Sequence, residues 1–175
     1  MSEPMPPDID WPRYAARPFP PYRFIKGRTP HPRRDPNGHS FGRPEPSPAP
    51  LPPEQWRRNE WYLYGIDLYN FAYWWESHEA FEDLWHAVGR RTEQGRFFQG
   101  LIHVSAANLK YFLGVHHAVE KLKRTALDRF GDLPRHYMGM NVDVFSKEVQ
   151  DYFDGTRSMP ALIHLHDVDL QRVRL

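Results

Sequence analysis

The chain has 175 residues, no cysteine and a formal net charge of +1. That length suits one domain, the missing thiols exclude a disulfide framework and any thiolate metal site, and no run of ~18 apolar residues offers a membrane span. The acidic, proline-rich start MSEPMPPDID is unlike a signal peptide, so the expectation is a soluble cytoplasmic protein with no membrane partner.

Charge and proline divide the chain near residue 53. Of the 18 prolines, 16 lie at or before Pro53, a density that excludes helix interiors and central strands because each proline fixes φ and removes a donor. Residues 11–44 carry eight Lys or Arg against one acid, Asp35. This basic arm also holds Trp11, Tyr14, Phe19, Tyr22, Phe24 and Phe41, anchors that disordered segments lack. Residues 19–41 are therefore expected to pack on the rest of the chain. The run GRPEPSPAPLPP, by contrast, reads as a loosely tethered spacer. Arg and aromatic residues alternate as they do in some nucleic-acid grips, but no recognised binding motif accompanies them, and nucleic acid is not an expected partner.

Helical periodicity begins after Pro53. A first helix runs from Pro53 toward Phe71, a second over about 73–88 and a third over about 93–113, the last two stopping at Gly89 and Gly114. A fourth, HHAVEKLKRTALDRF, places Ala118, Leu122, Ala126 and Phe130 on one stripe. A fifth, at about 142–153, turns Val144, Phe145, Val149 and Phe153 inward. The tail MPALIHLHDVDL fits either a short strand or an extended packing segment. The fold class is all-α: a single helical bundle of about five helices over 54–175, preceded by an extended, proline-rich basic arm over 1–53.

The second helix carries the chemistry. In WWESHEAFEDLW a helical wheel sets His78 within the stripe of Trp74, Phe81 and Trp85, with Glu82 one turn on. Glu79 borders them, and Glu76, Ser77 and Asp83 point away. His78 and Glu82 are expected to form an inward polar pair. On the third helix Gly100, Ala107 and Gly114 recur every seven residues as a strip a neighbouring helix could approach, with Gln99, His103 and Lys110 alongside. If the second and third helices are antiparallel neighbours, Gln99 and His103 face the pair.

These strings resemble a known family. DLYNFAYWWESHEAFEDLW followed by GRFFQGLIHVSAANLKYFLG, together with the arm's PYRFIKGRTPHPRRDPNGHS, is similar to the domain of unknown function 309 family over about residues 19–131. The signature residues are His78, Glu79, Glu82, Trp85, Phe98, Gln99, Gly100, Leu101 and Ile102. The resemblance implies a small helical bundle and a candidate site, and no settled activity.

Two functional readings stay open. In the first, His78, Glu82 and His103 hold Zn²⁺, Mn²⁺ or Fe²⁺ with a nitrogen and oxygen donor set, and Glu79 serves as general base on bound water in hydrolase-like chemistry. Gln99, Arg33 and Arg34 then contact a small anionic ligand. HEAFE is not the H-E-x-x-H zinc-protease helix, because position 82 is Glu. In the second reading the protein is a noncatalytic helical module that binds a protein partner, and His78 with Glu82 is a structural core network.

Two other histidine groups complete the inventory. In the arm, His31, Asp35 and His39 flank a DPNG turn able to fold back over the Glu82 region. Adjacent His116 and His117 read as exposed or capping, while His164 and His166 would share one face of an extended tail and could meet a metal there.

Overall fold

The computed structural model describes residues 3–166. It is mostly helical: α1 (Glu60–Asn70), α2 (Trp74–Val88), α3 (Glu93–Phe112), α4 (His116–Phe130) and α5 (Val142–Phe153), with a two-residue hairpin, β1 (His136–Tyr137) and β2 (Met140–Asn141), before α5. α3 packs between α2 and α4, and α1 lies against α2.

The first expected helix divides in two. Pro53–Arg58 forms a 3-10 turn, and the chain restarts at Asn59, whose side chain accepts the Tyr62 N–H and caps α1. An asparagine oxygen satisfies a donor the first turn leaves unpaired. Thr92 and Asn141 cap α3 and α5 in the same way. Between α1 and α2 the chain reverses through Ala72, at φ 62, with the Tyr73 N–H returning to Leu68 O at 2.8 Å.

Every residue of α1 from Tyr62 to Asn70 is buried, so this helix has no solvent face. It runs through the middle of the molecule, covered by α2, by the arm and by the tail. Gly65 makes room for Phe81 of α2, whose ring would stand 2.8 Å from an added Cβ. Gly100 does the same for Phe130 of α4. Of the small strip on α3, Gly100 therefore receives α4, and Gly114 is no part of it: at φ 73 it ends the helix.

Two buried stripes differ from the wheel. Val144 is exposed because Val142, Phe145 and Val149 set the inward line of α5. On α4 the buried line is Val119, Lys123, Ala126 and Phe130. Lys123 is tolerated there because its ammonium reaches out to Asp154 at 2.6 Å and Glu120 at 2.8 Å.

Residues 3–52 contain no helix or strand and make many contacts with the helices. Asp67, fully buried in α1, accepts from Arg13 Nε, the Tyr14 N–H and the Ala15 N–H at 2.8 to 2.9 Å. Phe19 stacks on Tyr73, and Arg23 donates to Phe71 O. The tail from 161 to 164 is neither helix nor strand. Asn70 exchanges two hydrogen bonds with the Ile163 backbone, and Leu165 bridges Met140 in antiparallel register. Residues 167–170 of the tail string lie outside the described residues.

Candidate functional site

α2 is enclosed on three sides, which decides what each polar residue does. Trp74, Glu76, Ser77, Ala80, Phe81 and Leu84 are its buried residues. Ser77, expected to point away, meets α3: its hydroxyl donates to Ser105 Oγ at 3.0 Å. Glu76, also expected outside, is 6% exposed. The arm covers that side, and Glu76 Oε1 accepts the Phe24 N–H at 2.7 Å and lies 3.4 Å from His39 Nε2. The DPNG turn thus returns over Glu76 and not over Glu82. Glu76 Oε2 is buried with no partner.

His78 and Glu82 are half-buried on the rim between the inward face and solvent, so the expected inward pair is not formed. A wheel built on aromatic residues missed this because Trp75 and Trp85 are themselves only half-buried. His78, Glu79 and Glu82 nevertheless converge: one ligand atom from each lies within 4.8 Å of the others. His78 Nδ1 is 3.3 Å from Glu79 Oε1, yet too poorly aligned for a hydrogen bond, and it is buried without a partner. No hydrogen bond joins His78 to Glu82 among the described residues.

His103 stands near this cluster, on α3, without belonging to it. Burial, then the positive charge of Arg129, then His78, push its imidazole below the ordinary histidine value, which keeps it neutral at pH 7. Gln99, one turn earlier, is half-buried and makes no side-chain hydrogen bond among the described residues. Arg34 is exposed, and Arg33 is half-buried.

On the other side of α2 the arm encloses a cleft of about 830 Å³ against α1 and α2, with Trp61, Tyr64 and Trp75 among its walls and Glu76, Glu79 and Asp83 as its carboxylates. Arg33 and His39 line the arm side. His78 and Glu82 do not line it, so Glu79 alone borders both cluster and cleft. Asp83 accepts Trp61 Nε1–H at 3.2 Å. Burial raises the Asp83 carboxyl to about 6, helped by the Glu79 charge and opposed by the Trp61 bond and Arg33.

The family model described as Domain of unknown function (DUF309) matches residues 62–122. Residues 62–122 are thus similar to the DUF309 family. The match takes in α2, α3, most of α1 and the first half of α4, hence His78, Glu79, Glu82, Gln99 and His103; the arm string lies outside it. No curated protein matches the chain. The DUF309 description names no reaction.

Sequence reasoning missed two buried carboxylates, Asp67 and Glu76. Asp67 did leave a signal: it is the single charged residue in the run YLYGIDLYNF, in a chain whose arm is rich in arginine. Glu76 left none, because its partners Phe24 and His39 are 52 and 37 residues away.

Proposed function

We propose that this protein binds a divalent transition metal at His78, Glu79 and Glu82. The observation that carries the reading is the buried, partnerless Nδ1 of His78 beside two carboxylates with ligand atoms within 4.8 Å. A buried polar atom without a partner costs about 1–3 kcal/mol, and a cation would remove that cost while separating the two carboxylates electrostatically. One imidazole and two carboxylates suit Zn²⁺, Mn²⁺ or Fe²⁺. Neutral His103 is the next available nitrogen donor.

Three protein ligands leave coordination positions open for water or substrate. Glu79 borders the aromatic cleft, so a small ligand lying between Trp61 and Trp75 would approach the ion from that side, with Arg33 available to an anionic group. A metal lowers the pKa of bound water toward ~7, and metal-assisted hydrolysis is the reaction class this arrangement suits. Glu79 would either complete the ligand set or accept the proton from that water. The noncatalytic alternative, with His78 and Glu82 as a core network, is disfavoured by their half-buried rim position. Elemental analysis of untagged full-length protein, purified without chelator, tests the proposal. A metal content that falls by one ion per chain in His78→Ala supports it, and equal metal in both chains removes it.

A further inference from the structure

A second group of histidines lies C-terminal to the DUF309-like segment. His164 and His166 are two residues apart on the tail, and their ring centroids are 4.8 Å apart. His136, on β1, is brought in by the hairpin: Leu165 bridges Met140, and the His166 N–H donates to Gly139 O at 2.8 Å. The His136 and His166 centroids are 6.3 Å apart. All three residues are exposed. From the arm, Trp11 meets His164 edge-on at 6.0 Å.

We propose that His136, His164 and His166 form a second metal site, selective for a borderline transition-metal ion such as Zn²⁺, Ni²⁺ or Cu²⁺. Zinc–nitrogen bonds are about 2.0–2.1 Å long, so two imidazoles sharing one ion hold their centroids roughly 5–6 Å apart. His164 and His166 are already near that spacing. The exposed His136 ring joins them by side-chain rotation, a motion with little resistance at a surface. With imidazole donors and no carboxylate in the set, the site favours these ions over Mg²⁺, Ca²⁺ or Mn²⁺. It thereby differs from the His78 cluster, whose two carboxylates accept harder ions. An ion here fastens the tail to the hairpin, which the antiparallel Met140–Leu165 bridge, with its His166–Gly139 hydrogen bond, also joins.

The test is calorimetric titration of Zn²⁺ into untagged full-length His78→Ala protein, which silences the α2 cluster. One Zn²⁺ per chain is expected, with binding weakened at least about tenfold, or 1.4 kcal/mol, by either His136→Ala or His166→Ala. Because the three side chains are exposed, these variants keep the fold, which circular dichroism verifies. Cu²⁺ gives an independent readout: it should quench fluorescence from Trp11, and a Trp11→Phe chain should lose that component. The proposal is overturned if His78→Ala protein takes up no Zn²⁺, if its affinity is unchanged by His136→Ala, or if Cu²⁺ quenching is the same with and without Trp11.

Discussion

Glu76 Oε1 accepts the Phe24 backbone N–H at 2.7 Å, a buried carboxylate on α2 holding an irregular stretch of the arm 52 residues earlier in the chain. Glu76→Ala removes the acceptor and leaves the amide buried, at a cost of about 1–3 kcal/mol. Glu76→Gln keeps an acceptor oxygen and should lose less. Urea unfolding measures the difference, and limited proteolysis between Phe19 and Phe41 should be faster in the alanine variant. Equal cleavage rates would show that Glu76 does not hold the arm.

Two helix ends of this protein were legible because they are chemically marked: Gly89 and Gly114 stop α2 and α3. Facing was harder to read. A wheel assumes one buried side, but α1 is buried all round and α2 meets α1, α3 and the arm. Ser77 and Glu76 therefore looked exposed when their partners were Ser105 on α3 and Phe24 in the arm. His78 and Glu82 were visible in the sequence as an i, i+4 ligand pair, whereas the third member of the cluster is Glu79, read there as a base, and not His103. The rim position of the pair was not visible, since it depends on where distant segments end.

Gly100→Ala should destabilise the protein by about 1–3 kcal/mol, the usual cost of overpacking, because its Cβ would collide with the Phe130 ring. Phe130→Leu in the same chain should recover part of that loss. A double-mutant cycle in thermal unfolding checks this coupling, and simple additivity would show that α3 and α4 do not meet there.

Asp83 gives a pH signature. Its folded carboxyl sits at about 6, against an ordinary 3.8, so between those values the folded state holds a proton that the unfolded state has released. Stability contributed by this group therefore falls as pH rises from about 4 to 6, and the full cost is present above 6. Discounted for solvent screening of a half-exposed group, that cost is about 1 kcal/mol. Asp83→Asn, which keeps an acceptor for Trp61, should be more stable than the parent at pH 7 and equal to it near pH 4. A gain of the same size at both pH values would contradict the assignment.

Glu82→Ala separates a ligand from a structural partner. Glu82 is half-buried and makes no hydrogen bond to His78 among the described residues. In metal-free protein its removal should change stability by no more than about 0.5 kcal/mol, as for other surface positions. A loss of about 1–3 kcal/mol in chelator-treated protein would restore the structural-network reading.

The most direct test is titration of Zn²⁺ or Mn²⁺ into untagged protein carrying His136→Ala, His164→Ala and His166→Ala, so that only the α2 cluster can respond. One bound ion per chain is predicted, with a melting temperature that rises with metal concentration by mass action and loses that response when His78→Ala is added. A melting temperature indifferent to both ions and to chelator, or a rise that survives His78→Ala, would contradict a metal site at His78, Glu79 and Glu82.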